Sequence, residues 1–251
     1  MTVTLEAVSA ALRTTAAVVS VALYVLIVGP PALLWTLLSR DVRLLYAAGR
    51  AGVRLGFALA GIRVRVLGAA HQVPGAVYAC NHASNIEPPA VFLALAPLFP
   101  RVRVLYKAEL RRLPVLVRVF DAAGFVPLER GNRQQSWPAV DRAAQALVEG
   151  HAFVIFPEGT RSRTGELLPF KKGGFVMAIK AQAPVVPVAV SGGRDAMRKG
   201  SPLIRPVTVT VEFCPSVDTA GMSIDDRDRL VEQVREAIDA RRVRPARILA
   251  L

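Results

Sequence analysis

The stretch Ala76-Val77-Tyr78-Ala79-Cys80-Asn81-His82-Ala83-Ser84-Asn85-Ile86-Glu87-Pro88-Pro89 holds both halves of the unit from which the fold is read. Ala76 to Cys80 is an apolar run of strand length, after which the chain breaks into polar residues. Pro88 and Pro89 suit the first turn of a new helix, because their fixed φ and missing N–H cost little there. His82 and Glu87 therefore fall at a strand-to-helix junction, where α/β folds place their sites. A histidine with a carboxylate nearby is the minimal general base, since the acid fixes the tautomer and stabilises the imidazolium.

Outward from this junction the same alternation continues. Strands are expected at Ile62–Leu67, Ala76–Cys80, Val102–Tyr106, Phe125–Leu128, Ala152–Phe156, Val185–Val190 and Val207–Phe213, and helices at Pro88–Leu95, Pro114–Ala122, Gln134–Glu149, Lys172–Gln182 and Ile224–Arg241. This predicts an α/β class: a layered, mostly parallel sheet flanked by helices. An N-terminal apolar helical segment that associates with membrane precedes it. The expected organisation is a membrane-associating segment over residues 1–60, a catalytic domain over 61–242 and a basic tail over 243–251.

No charged residue occurs from Thr14 to Ser39. As one straight helix this run would be roughly 39 Å long, enough to cross a bilayer, but Gly29-Pro30-Pro31 is expected to interrupt it. Two readings follow, a kinked spanning helix or a helical hairpin dipping into one leaflet. Arg40, Arg43, Arg50 and Arg54 then alternate with apolar residues, the pattern of a basic amphipathic helix over 42–57 at a membrane surface. These arginines mark their end of the run as cytoplasmic if it spans. The expected location is the membrane, with the catalytic domain on its cytoplasmic face.

Composition narrows the partners. Of 251 residues 53% are apolar, and 32 Lys and Arg face 19 acids for a formal net charge of +13. Such a balance calls for a polyanionic partner, and high apolarity with high basicity favours an anionic membrane surface over nucleic acid. Aromatic residues make up only 6%, too few for the stacking platforms of single-strand binders, and two cysteines with three histidines give no zinc-finger spacing. Cys80 and Cys214 lack any disulfide framework, which suits a reducing compartment. No cleaved signal peptide is expected, for want of an early basic cluster and a cleavage site.

Cations recur just past strands. After Ala152–Phe156 come Pro157-Glu158-Gly159-Thr160-Arg161-Ser162-Arg163, a turn with two arginines and two hydroxyls suited to a phosphate. Gly159 permits close backbone approach, and Arg161 offers a fork of donors matched to phosphate oxygens. Glu158 is a poor phosphate neighbour by itself and is read as holding an arginine or accepting from a substrate hydroxyl. The block Gly124-Phe125-Val126-Pro127-Leu128-Glu129-Arg130-Gly131 delivers Arg130 to the same sheet edge if the strands are parallel. Lys107 closes Val102–Tyr106, and Lys171-Lys172 opens a helix in the same register.

Asn81-His82 with an acid five residues after the histidine, the Gly124–Arg130 block, Phe156-Pro157-Glu158-Gly159-Thr160-Arg161-Ser162 and Val186-Pro187-Val188 resemble, in this order, four blocks of the lysophosphatidic acid acyltransferase family. The resemblance covers roughly Ile62 to Phe213, and the Phe-Pro-Glu-Gly-Thr-Arg-Ser string is its specific part. It implies acyl transfer from acyl-CoA or acyl carrier protein to the sn-2 hydroxyl of lysophosphatidic acid, giving phosphatidic acid. His82 would take the hydroxyl proton and Glu87 would orient His82. Arg130, Glu158, Gly159, Thr160 and Arg161, with Lys107, would match the acceptor-phosphate region. A thioester is reactive enough that neither a metal nor a cofactor is expected, and the partners are membrane lipids and the two substrates, not nucleic acid. The family's usual acid is Asp; Glu87 carries one more methylene, which moves the carboxylate on the order of 1.5 Å.

Other readings stay open on the residues. The same base could serve another lyso-lipid or glycerol phosphate, or the chain could bind anionic lipid without catalysis. Cys80, two residues before His82, could form an acyl-enzyme with it, although a small buried strand residue is the plainer interpretation. His71 and His151 have no acid at comparable spacing and are read as structural or surface residues.

Overall fold

The computed structural model describes residues 2–128 and 133–242. Arg130 and the tail over 243–251 lie outside the described residues. Seven strands form one sheet: β1 (Arg63–Leu67), β2 (Val77–Cys80), β3 (Val102–Lys107), β4 (Val126–Leu128), β5 (Ala152–Ile155), β6 (Val185–Ser191) and β7 (Thr208–Phe213). Their spatial order is β1-β7-β6-β2-β5-β3-β4. The five strands from β6 to β4 run parallel, while β7 lies antiparallel to β6 and parallel to β1. The sheet is thus mixed, with a parallel majority, and every expected strand is present within a residue or two.

Chemistry explains the order. β2, β5 and most of β6 are buried on both faces, and their near-continuous apolar sequences are what a central parallel strand requires. The two faces feed two cores by the period-2 rule. Val77, Ala79, Phe153 and Ile155 point to one, and Tyr78, Cys80 and Val154 to the other. β7 alternates Val209, Val211 and Phe213 inward with threonines and Glu212 outward, as a strand nearer the edge should.

Eight α-helices are described: α1 (Thr2–Ser39), α2 (Arg43–Ala60), α3 (Glu87–Ala94), α4 (Pro114–Ala122), α5 (Arg133–Val148), α6 (Gly173–Ala181), α7 (Gly193–Ala196) and α8 (Arg227–Arg241). Helices α5, α6 and α8 contribute to the first core, α2 and α3 to the second. The five expected catalytic-domain helices are found, although the last begins with a 3-10 turn at Ile224–Asp226. The short α7 has no counterpart in the sequence reading.

The N-terminal segment corrects the sequence reading. Helix α1 runs unbroken through Pro30 and Pro31, so Gly29-Pro30-Pro31 does not divide it into two limbs. The prolines withdraw donors from the carbonyls of Leu26 and Ile27, two residues that are 70% exposed, so the losses fall on the outward side of the helix. The inward side packs on α2. Side chains added at Gly52 and Gly56 would collide with Tyr24 and Val21, each contact falling to 2.9 Å, and the Tyr24 hydroxyl donates to the carbonyl of Ala48 at 2.9 Å. The hairpin is therefore α1 against α2, turned at Arg40-Asp41-Val42 with Arg40 in the left-handed region at φ 57°. Residues 7–39 of α1 are long and apolar enough to cross a membrane, and Leu23, Leu26, Ile27, Trp35 and Leu38 stand exposed.

At the other end Arg241 and Arg242 are engaged. Arg241 pairs with Glu212 at 3.0 Å, and the buried Arg242 pairs with Glu166 and Asp239, each at 2.7 Å.

Candidate active site

Parallel strands put their C-terminal ends on one edge. Along it lie, in order, the segment after β6, the His82 loop after β2, the Phe156–Arg161 loop after β5, and Lys107 at the end of β3. Adjacent strands are spaced by about 4.8 Å, so neighbouring loops can touch and Lys107 lies roughly 10 Å to the side of β2.

Asn81 anchors the His82 loop. Its side-chain nitrogen donates to the carbonyl of Val190 at 2.9 Å, and its oxygen accepts from the Val190 N–H at 2.7 Å, tying the end of β2 to β6. Ser84, fully buried, donates to the carbonyl of Met197 at 2.7 Å and accepts from the N–H of Ile86 at 3.2 Å. Between these anchors the chain turns so that Glu87, the first residue of α3, folds back on His82.

The Glu87 carboxylate is 1% exposed. Its Oε2 accepts from the N–H groups of Ala83 at 2.7 Å and Ser84 at 3.0 Å, and it meets His82 Nδ1 at 3.0 Å. A carboxylate oxygen that accepts two backbone N–H groups can take a third hydrogen from Nδ1, which is the tautomer with its lone pair on Nε2. The His82 side chain is 16% exposed and rests against the ring of Phe156, 4.6 Å between centroids. Geometry, tautomer and access together suit a group that takes a proton from a substrate hydroxyl.

Glu158 departs from its expected place beside the acceptor. It is 4% exposed, and its two oxygens accept backbone N–H groups, Oε1 from His82 at 2.6 Å and Oε2 from Leu168 at 3.0 Å. Burial pushes its carboxyl up from the ordinary range, those two N–H groups pull it back, and the charge of Glu87 pushes it up again. No described arginine is hydrogen-bonded to it. Glu158 braces the His82 loop from beneath, helped by the Ser162 N–H donating to the His82 carbonyl at 2.7 Å.

The other expected residues lie on the same edge. Gly159 takes φ 69°, and a side chain there would fall 2.8 Å from Cε of Lys171, so that lysine crosses the turn in contact with its backbone. Thr160 is exposed and Arg161 half-buried. Lys199 donates to Thr160 Oγ1 at 3.3 Å and to the Arg161 carbonyl at 2.8 Å. Lys107 is exposed and paired with Glu109 at 2.9 Å. Lys199 escaped the sequence reading because no local signal distinguishes it from any surface lysine. Asn81 and Ser84 stand within the quoted stretch, but the residues they grip lie more than a hundred positions away.

Cys80 does not behave as a nucleophile. It is fully buried in the second core, and burial, with the Glu87 charge adding to it, pushes its thiol well above the ordinary range. A thiolate is the reactive form. Cys80→Ala is therefore expected to keep wild-type turnover and to lose only a little stability, and intact-mass spectrometry with a thioester substrate should detect no acyl-protein adduct. His151 is half-buried against Arg103 Nη2 at 2.9 Å, with its basicity lowered by burial and then by that charge, which agrees with a structural role.

A family model described as Acyltransferase matches residues 61–191. The chain belongs to the acyltransferase family. That match runs from β1 to the end of β6 and holds the whole His82 cluster. Among characterised relatives, the chain is similar to the 1-acyl-sn-glycerol-3-phosphate acyltransferase of Limnanthes douglasii, 35% identical over 70% of this chain and 62% of that protein. It is also similar to the alpha form of that enzyme from Homo sapiens, 32% identical over 72% and 64%. It therefore spans less than two thirds of the length of these relatives. In three dimensions it is similar to the crystal structure of the 1-acyl-sn-glycerophosphate (LPA) acyltransferase PlsC from Thermotoga maritima, with a TM-score of 0.78, 26% identity, and 94% and 95% of the two chains covered.

Proposed function

We propose that the chain transfers a fatty acyl group from a thioester of coenzyme A or acyl carrier protein to the sn-2 hydroxyl of lysophosphatidic acid, releasing phosphatidic acid and the free thiol. The observation that supports this is the His82 Nδ1–Glu87 Oε2 contact at 3.0 Å, on a side chain 16% exposed at the strand edge that also carries Lys107 and Arg161. Nε2 takes the hydroxyl proton as the oxygen attacks the thioester carbonyl. Glu87 stabilises the imidazolium, which returns the proton to the thiolate when the C–S bond breaks. The backbone of the Gly159 turn, Arg161, Lys171 and Lys199 supply an electropositive bed for the acceptor phosphate, and Arg130, outside the described residues, is assigned to it by its sequence block alone. Lys107 lies at the margin of this bed, and Glu158 supports it without touching the acceptor.

The apolar chain has a place as well. A cavity of about 930 Å³ lies between α1, α2 and the start of α3 and α4, within the range of ligand pockets. Ile86 and Pro89, on either side of Glu87 in the sequence, are in its wall. We assign the acyl chain to it. Ala123→Phe, at the α4 end of this wall, is expected to shift preference towards shorter acyl donors by about tenfold, measured as kcat/KM across a chain-length series.

The exposed apolar face of α1 and the arginines of α2 support docking on an anionic membrane, with the catalytic domain on the cytoplasmic face. The test is a matrix assay of detergent-purified protein. It pairs lysophosphatidic acid, other lysophospholipids and glycerol phosphate with acyl-CoA and acyl carrier protein donors. Phosphatidic acid should dominate the products, and equal rates with an uncharged acceptor would contradict the phosphate bed.

A further inference from the structure

We propose that Gly193 is a positioning residue that allows a glutamate to serve at position 87. The inference rests on the acyltransferase reading of His82 and Glu87 and names a residue that governs the same pair.

Three atoms of Glu87 lie where a side chain at Gly193 would begin. A Cβ built on Gly193 would sit 2.6 Å from Cγ, 2.7 Å from Oε1 and 3.0 Å from Cδ. The nearest of these, Cγ, carries the carboxyl group, so the contact bears on the part of the side chain that sets the carboxylate's place. Backbone conformation does not demand the glycine. The positive φ of 82° belongs to its neighbour Gly192, the N-cap of α7, and Gly193 itself has none. What the position lacks is room.

Neither side of the contact can yield. Oε2 is held by Ala83 N–H, Ser84 N–H and His82 Nδ1. The opposite wall, from the end of β6 through α7, is tied to the same loop by the paired Asn81–Val190 bonds and by Ser84 to Met197. Arg194, next to Gly193, donates through Nε to the carbonyl of Arg163 at 3.2 Å and fixes the outer side. A methyl group at 193 must therefore displace the carboxylate, and the only partner that carboxylate can leave without opening the loop is His82. Truncation of Glu87 to alanine would remove all three colliding atoms, so Gly193 and Glu87 form a coupled pair.

The test is a double-mutant cycle read in two ways. Gly193→Ala is expected to lower kcat on the order of 10²-fold, with the KM for acceptor little changed, because displacement of an orienting group by about 1 Å costs that much. Glu87→Ala alone should also lower kcat, since Nδ1 loses its acceptor. In the Glu87→Ala background, however, Gly193→Ala should cost little further activity, a loss of additivity that a general structural defect at position 193 would not produce. Thermal unfolding of the same four proteins is independent of activity. Gly193→Ala should lower Tm in the wild-type background and hardly at all in the Glu87→Ala background. A Gly193→Ala protein with wild-type kcat and Tm, or a Gly193→Ala effect on both measures that is as large without the Glu87 carboxylate as with it, would overturn the proposal. If the cycle couples in Tm while no variant, nor the wild type, transfers acyl groups, the Gly193–Glu87 coupling stands and the acyltransferase reading falls.

Discussion

Replacing His82 with alanine is expected to lower turnover by about 10²–10⁴-fold while leaving the fold and membrane binding intact. The size of the loss follows from the chemistry. An unactivated alcohol attacks a thioester slowly unless its proton is removed as the bond forms, and Nε2 is the accessible lone pair placed for that. The selectivity follows from the packing. The imidazole lies at the edge of the sheet, 16% exposed, with Phe156 on one side and the Nδ1 contact to Glu87 on the other. Its removal leaves Glu87 with both backbone donors, so no buried charge is stranded. The measurement is kcat with saturating lysophosphatidic acid and acyl-CoA, alongside Tm and co-sedimentation with anionic vesicles. A non-catalytic lipid-binding protein would show no change in any of the three.

Glu158→Ala is expected to have the largest effect on stability. The substitution leaves the N–H groups of His82 and Leu168 without acceptors in a buried site, and each such group costs about 1–3 kcal/mol. A loss of roughly 2–5 kcal/mol corresponds to a fall in Tm on the order of 10 °C for a chain of this size. Activity should fall with it, since the His82 backbone rests on this carboxylate. Glu158→Gln keeps one oxygen acceptor and should fall between the two. The outcome separates a brace from a substrate ligand. A residue that touched the acceptor would raise the KM for lysophosphatidic acid at nearly unchanged Tm.

The strands and the His82–Glu87 pair were legible because their signals are local. Val77 to Cys80, Ala152 to Ile155 and Val185 to Val190 are apolar without alternation, as central parallel strands must be. A five-residue spacing across a turn is short enough to read directly. What escaped depends on contacts distant in sequence. Pro30 and Pro31 looked like a break by local rule, but the close approach of α2 through Gly52 and Gly56 is invisible from either segment alone. Glu158 carried a legible motif, but a string of residues does not show which backbone donors its carboxylate will meet. Gly193 had no signal at all, and only the pairing of β6 beside β2 brings it against Glu87. Arg242 likewise gives no sign in the sequence that it pairs with Glu166, some seventy-six positions away.

Glu87 thus holds its carboxylate 3.0 Å from Nδ1 with its side chain packed against the backbone of Gly193. The remaining question for the mechanism is whether the acyl group passes straight to the alcohol. The most direct measurement incubates purified protein with lysophosphatidic acid and an acyl-CoA whose acyl group carries an isotope, then locates the label by mass spectrometry. Direct transfer with His82 as base requires the label at the sn-2 position of phosphatidic acid with wild-type protein, almost none with His82→Ala, and none on the protein. Label retained on Cys80, or equal labelling of phosphatidic acid by the His82→Ala protein, would contradict it.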